Sequence, residues 1–266
     1  MTMPRLPALI AAGVGIAFMA VTVTSASANA TISANLQDFT WTEKLPNGLS
    51  LEERGSLLGL RIETELLHRS PGWRSRLAGD VYGGTVDYDG FLISLDGSIR
   101  PYESETTYLG VAGSWDVGYG HTLASGITAE PFLGVGAHYW LRSLDDDEGY
   151  GYDEYWLTLY GRAGFRLGWR TATETELFTS AAMLLPFFNY EWAVGVPLAD
   201  GGDDIELEPE EKPGWQLEVG INHGAWHAAV FHTYMEFGQS DLDDTGQFFQ
   251  PASTREVTGL RIGYRF

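Results

Sequence analysis

Long segments of this chain alternate between apolar residues and polar or small residues, which is the pattern of a β-strand with one apolar face. The last segment has an apolar face made of Leu260, Ile262, Tyr264 and Phe266. The same alternation recurs in residues 58–66, 109–119, 127–141 and 155–169. Strands of soluble proteins average about 5–6 residues, whereas a tilted membrane-spanning strand needs about 9–11. The alternation therefore predicts an all-β protein whose strands are long enough to cross a membrane.

The amino-terminal segment has the features of a cleavable secretory signal. Arg5 precedes an apolar run over residues 6–23, and Ala28-Asn29-Ala30 then fits the small-x-small cleavage pattern, with Ala26-Ser27-Ala28 as an alternative. No later run of eighteen apolar residues is present. We therefore expect residues 1–30 to be a signal peptide and residues 31–266 to form one exported domain; a retained single-span anchor is the other interpretation.

The connections between these segments alternate between short and long ones. The short ones are residues 70–72, 123–126, 172–175 and 224–225. The long ones are residues 46–56, 91–104, 144–154, 195–214 and 241–253. Short periplasmic turns and longer outer loops are typical of outer-membrane barrels. This order predicts an antiparallel up-and-down transmembrane β-barrel of ten strands with both termini at the short-turn end. Eight strands is the alternative, because residues 36–43 alternate poorly.

Aromatic residues close to predicted strand ends add a membrane signal. Girdles of aromatic residues flank the apolar band of transmembrane barrels. The candidates are Tyr139, Trp140, Tyr155, Trp156, Trp169, Phe187, Phe188, Trp215 and Trp226.

With its signal segment, its strand rhythm and its ending on Phe266, the chain resembles the broad family of Gram-negative outer-membrane β-barrel proteins. The resemblance covers nearly all of the mature chain. It implies residence in the outer membrane and contact with lipid and lipopolysaccharide. It also implies that the barrel assembly machinery reads the final strand through Leu260, Ile262, Tyr264 and Phe266.

If the apolar faces meet lipid, the opposite faces enclose a charged lumen, in which His138, Tyr160, His232 and Tyr234 are also expected. Guanidinium groups suit bidentate pairing with carboxylates in a confined space. The predicted ion-pair network consists of Arg61, Glu63, Glu65, Arg76, Asp80, Asp116, Glu130, Arg142, Arg162, Arg166, Glu218, Glu236, Arg261 and Arg265. A barrel of about eight strands is just wide enough for side chains to fill, and open channels appear at about 16–18. We therefore expect a lumen filled by paired charges, with a narrow solute path as the alternative.

The composition excludes several classes of function. The formal net charge is −20, from 16 basic and 36 acidic residues, so a phosphate-binding surface for nucleic acid is not expected. The chain has no cysteine, which rules out disulfides and thiol chemistry. Carboxylates cluster in residues 145–148, 203–211 and 241–244. We interpret these clusters either as a repulsive outer face or as a weak Ca²⁺ or Mg²⁺ site. Residues 241–246 resemble the start of an EF-hand loop, but Ala252 stands where the bidentate glutamate should be, so this motif does not predict a specific calcium site. No other cofactor is expected.

Two families of surface enzymes share features with this chain. The omptin proteases resemble it in size and topology, and use an Asp pair facing an Asp-His pair across the barrel mouth. Asp87 and Asp89 suit the first pair, but residues 195–214 contain no Asp-x-His. Lipid A deacylases use a His-x-Ser motif, which only His68-Arg69-Ser70 matches, at a predicted periplasmic turn.

The sequence therefore favours a non-enzymatic barrel, with a role in envelope structure, adhesion or narrow small-solute passage. The alternative is a surface enzyme, either an omptin-like protease or a lipid A-modifying hydrolase. No sequence feature identifies an extracellular ligand.

Overall fold

The computed structural model describes residues 30–68, 71–93, 98–124, 126–144, 151–173, 175–196 and 203–266. The predicted signal peptide lies outside these residues except for Ala30, which begins the first strand. The strands are β1 (Ala30–Lys44), β2 (Ser50–His68), β3 (Gly72–Ile93), β4 (Ile99–Ala124), β5 (Ile127–Leu144), β6 (Asp153–Arg170), β7 (Thr175–Val196), β8 (Asp203–Leu207), β9 (Gly214–His223), β10 (Trp226–Phe237) and β11 (Ala252–Arg265). Among the described residues, no helix has the length and apolarity needed to cross a membrane.

The strands form one closed antiparallel sheet. Each strand from β1 to β6 pairs with the next along the chain, β7 pairs with β9, β9 with β10 and β10 with β11, and β1 closes the barrel against β11. The five-residue strand β8 pairs only with β7 and stands outside the closed ring. Ten strands therefore make the barrel, as predicted, and the eight-strand alternative is wrong.

Strand β1 contains the segment whose alternation is weak in the sequence. It pairs without interruption with β2 on one side and β11 on the other. Leu36 points outward and is 51% exposed, whereas Phe39 and Trp41 point inward and are fully buried. The apolar residues thus change faces halfway along the strand, which explains the poor alternation.

The described strands end close to the predicted short turns, but two predicted long loops are wrong. Residues 45–49 form a tight β1–β2 turn, in which the amide of Leu45 donates to the carbonyl of Leu49 at 2.9 Å and Gly48 has a φ of 86°. Most of residues 91–104 belong to β3 and β4, which continue to pair as far as Ile93 and Ile99. These segments read as loops because proline, glycine and serine interrupt their alternation, although the backbone ladder continues through much of them.

The barrel is much taller than a membrane requires. The 26 residues of β4 extend roughly 85 Å along the strand at about 3.3 Å per residue, and the apolar band of such barrels is about 25 Å tall. The exposed apolar belt includes Leu36, Leu58, Leu60, Leu109, Leu133, Met183, Val219, Val230, Leu260 and Ile262. On β1 the belt ends at Leu36, eight residues before the strand does. The end of the barrel opposite the short turns therefore projects beyond the belt, and we call it the outer end.

The closed lumen as candidate functional site

Most of the charged residues predicted to face the lumen do face it. Strand positions alternate between buried and exposed, and the following residues point inward: Arg61, Glu63, Glu65, Arg76, Asp80, Asp116, Glu130, Arg142, Arg162, Arg166, Glu218, Arg261 and Arg265. His138 and Tyr160 also lie inside, where the Tyr82 hydroxyl lies 2.7 Å from Nε2 of His138.

The predicted inward orientation of Glu236 is wrong. On β10 the inward positions are odd-numbered and include Met235 and Phe237, so Glu236 lies on the outer surface and accepts a hydrogen bond from the Tyr234 hydroxyl at 3.1 Å. His232 and Tyr234 lie on that same outer face, where both rings stack on Trp215. The prediction failed because it placed apolar residues outside along the whole strand.

Near the short-turn end, arginines and carboxylates from different strands pair across the lumen. Arg76 makes a bidentate contact with Glu130, with one N–O distance of 2.9 Å, and also donates to Glu65 at 3.0 Å. Arg61 bridges Glu63 and Asp80. Such charge-assisted bonds are stronger than neutral ones and link β2, β3 and β5 through their side chains.

The other side of the barrel has similar pairs. Arg162 Nε lies 3.0 Å from an Asp116 oxygen, joining β6 to β4. Arg261 donates to Glu218 at 2.7 Å and to Asn35 at 3.0 Å, joining β11 to β9 and β1. These pairs bring together residues that are far apart in the sequence, as the predicted lumen network requires.

A second ionic cluster at the outer end is centred on Arg142. Its guanidinium lies 3.0 Å from Glu43, 2.7 Å from Glu53 and 2.8 Å from Glu154, and all four side chains are at most 7% exposed. We call these four residues the Arg142 hub. Tyr108 and Thr106 also donate to Glu53. These three carboxylates were not among the predicted lumen residues, although Glu53 lies an even number of residues from Arg61 on β2 and therefore shares its inward face.

Four aromatic side chains fill the lumen beside this hub. Trp41, Trp140, Trp156 and Phe237 are all fully buried, and we call them the outer plug. The Trp140 and Trp156 rings stack with centroids 5.3 Å apart, and the Trp41 ring meets Trp156 edge-on at 5.1 Å. Phe237 lies within 6 Å of all three indoles. Assigning Trp140 and Trp156 to a membrane girdle was therefore wrong: they face inward above the belt.

Hydrogen bonds join the plug to the hub. The Trp41 indole N–H donates to Glu43 at 2.8 Å, and that of Trp156 donates to Glu154 at 3.1 Å. The Arg142 guanidinium lies 5.7 Å from the centre of the Trp41 ring, within cation–π range. Plug and hub therefore form one packed, largely hydrogen-bonded layer across the outer end.

The free space in the lumen lies on the opposite side of this layer. A cavity of about 510 Å³ occupies the short-turn half and reaches Gly126 of the β4–β5 turn and Arg170 at the end of β6. A smaller space of about 90 Å³ lies at mid-height beside Tyr82 and Arg255. The barrel is thus hollow at one end and closed at the other.

The residues considered for catalysis do not come together. Asp87 and Asp89 are exposed on the outer surface of β3, alongside Glu103 and Glu105 of β4, so they do not face the barrel mouth. Arg69 and Ser70 lie outside the described residues, as does the side chain of His68.

One carboxylate of the acidic loops has a structural role. Asp243 accepts hydrogen bonds from the amides of Phe248 and Gln247, both at 2.9 Å, and from the Thr245 hydroxyl at 2.6 Å. The amide of Phe248, followed by the other donors, lowers the pKa of Asp243 to about 2. Among the described residues no three His, Asp or Glu side chains are grouped as metal ligands, and residues 145–148 lie outside those residues.

Comparison with known proteins supports the fold. No protein-family model and no curated protein matches the chain. Among solved structures, the outer-membrane protease OmpT from Escherichia coli is 10% identical, with a TM-score of 0.56 over 94% of this chain and 100% of that one. The β domain of the Bordetella autotransporter BrkA is 12% identical, with a TM-score of 0.41 over 90% and 99% of the two chains. At 10% identity the likeness to OmpT concerns the fold alone: this chain has the fold of an outer-membrane β-barrel, with ten strands in its closed sheet.

Proposed function

We propose that this protein is an integral outer-membrane barrel with a non-enzymatic, non-conducting role in envelope structure or surface adhesion. The observation that supports this role is the packed layer formed by the outer plug and the Arg142 hub. An open channel needs a continuous water-filled path, and this layer fills the lumen with side chains at one end.

The chemistry of the layer favours permanent closure over gating. The plug is aromatic and closely packed, so opening it would expose four large apolar side chains to water. The three carboxylates of the hub share Arg142 and accept further hydrogen bonds from Tyr108, Thr106 and two indoles. Opening the layer would separate these buried pairs, which is costly.

The outer end offers an extended surface for the proposed role. Beyond the apolar belt, the outward faces of β2, β3 and β4 carry exposed Glu52, Asp87, Asp89, Glu103 and Glu105. This concentration of negative charge keeps copies of the barrel apart and keeps the projecting surface hydrated. A rigid, closed end of this kind suits display at the cell surface.

Conductance across a planar lipid bilayer tests the proposal. Wild-type protein refolded in detergent should insert without producing current steps at any applied voltage. A Trp140→Ala, Trp156→Ala double variant, which removes the stacked pair, should conduct. A Trp169→Ala variant is the matched control, because that indole is 52% exposed on the outer surface. Current steps from the wild-type protein equal to those from the double variant would refute closure.

A surface enzyme is the competing role, since OmpT is a protease with this fold. Incubating the refolded protein with mixed peptides and with lipid A should yield no products above those of an empty-detergent control. Cleavage that disappears in an Asp87→Asn, Asp89→Asn variant would replace our proposal with a catalytic one.

A further inference from the structure

The 510 Å³ cavity at the short-turn end carries an excess of positive charge, although the protein as a whole is strongly acidic. Seven arginines and five glutamates line it, which gives a net charge of +2 with neutral histidine. The volume falls within the range of about 300–1,000 Å³ typical of small-molecule sites. A large, positively charged cavity at one end of a closed barrel is not needed for closure.

Two of these arginines form no ion pair with a described residue. All five glutamates pair with other arginines, and the two that remain are Arg166 on β6 and Arg265 on β11. These two side chains account for the excess of two positive charges.

Arg166 is the more informative of the two, because part of its guanidinium is shielded from solvent. Its Nε is inaccessible to solvent and has no hydrogen-bond partner among the described residues. The strand register places Glu130 directly opposite Arg166 on β5. However, Glu130 is bound by Arg76 through two hydrogen bonds and approached by Arg74 at 3.3 Å. The natural partner of Arg166 is therefore already occupied.

We propose that this cavity binds a small dianion, either a phosphate group or a pair of carboxylates, with Arg166 as its principal ligand and Arg265 at its rim. Guanidinium presents a planar fork of donors that matches both oxyanions. A bound dianion would neutralise the excess charge and supply the acceptors that Arg166 lacks. In the orientation inferred for the barrel, the ligand would reach the site from the periplasm.

Isothermal titration calorimetry on the refolded barrel in zwitterionic, phosphate-free detergent tests this site. Inorganic phosphate and succinate are the two probes, and the tighter of them identifies the ligand class. An Arg166→Met variant should weaken binding of that probe by about tenfold or more, because charge-assisted bonds are lost. Arg54→Met is the matched control, since Arg54 lies on the outer surface with a side chain 65% exposed, and it should bind as the wild type does.

The effect of the probes on stability is a second measurement, and it distinguishes ligand binding by Arg166 from a purely structural role of Arg166. Without probe, Arg166→Met should keep or raise the guanidinium midpoint, because it leaves no carboxylate without a partner. The better probe should raise the midpoint of the wild type but not that of Arg166→Met. The site is refuted if neither probe binds, if Arg54→Met weakens binding as much as Arg166→Met does, or if Arg166→Met lowers the midpoint without probe.

Discussion

Replacing Arg142 by methionine tests whether the hub holds the outer end together. Methionine keeps a long unbranched stem but removes the guanidinium that contacts Glu43, Glu53 and Glu154. The three carboxylates, all at most 7% exposed, would then be buried together without a cation. Breaking a single buried ion pair from one side costs about 3–5 kcal/mol. We expect Arg142→Met to lower the free energy of unfolding by at least about 3 kcal/mol.

Guanidinium unfolding of the refolded protein in lipid vesicles, followed by tryptophan emission, would measure this loss. Three of the nine tryptophans belong to the outer plug and report on the layer directly. Arg54→Met is again the matched control: its partner Asp38 is 3.9 Å away and both side chains are more than 60% exposed. The control should change stability by no more than about 0.5 kcal/mol.

A compensating variant shows whether Arg142→Met is destabilised by unpaired buried charge or by lost packing. Adding Glu53→Gln to Arg142→Met removes one of the orphaned carboxylates and should restore part of the lost stability. The reasoning is refuted if Arg142→Met loses no more stability than the Arg54→Met control. Loss of stability with no recovery in the double variant would assign the effect to packing instead of charge.

Three other outcomes follow from the structure. The pKa of Asp243 is lower in the folded protein than in the unfolded chain. The contribution of Asp243 to loop order should therefore be complete above about pH 4 and lost as the pH falls through about 2. A titration of this carboxyl group by NMR with a midpoint near 3.8 would contradict the prediction. A Cβ at Gly136 would overlap the Tyr160 ring, so Gly136→Val should cost about 1–3 kcal/mol in the same unfolding assay. Gly79→Val should cost less, because the nearest atom to a Cβ at Gly79 is the Ala112 carbonyl oxygen at 4.0 Å. Deleting Phe266, which is 70% exposed, should reduce the amount of barrel assembled in cells without affecting refolding in detergent, and equal losses in both assays would contradict a role as an assembly signal.

Much of the architecture was predictable because a membrane imposes a simple rule on a strand. Within the belt, one face must be apolar towards lipid, so the alternation around Leu58, Leu109 and Leu260 predicts which residues face outward. The inward positions of Arg61 and Arg261 follow from the same parity. The strand count followed from the rhythm of turns, although it depended on a first strand with weak alternation.

Above the belt that rule no longer holds, because the outer face meets water and the lumen becomes the apolar side. Phe39, Trp41 and Phe237 therefore point inward, and Glu236 points outward, contrary to a single alternation carried along the whole strand. The height at which lipid ends depends on how the ten strands tilt and stagger together, and no single segment contains that information.

The sequence by itself determined a long-stranded barrel with arginines and carboxylates on its inner face, because parity along a strand is a local property. Only the tertiary structure decided which charge meets which. Glu130 stands opposite Arg166 but binds Arg76 instead, and Arg142 draws together carboxylates from three other strands. Pairing across a lumen depends on closure and stagger, which bring together side chains that are distant along the chain.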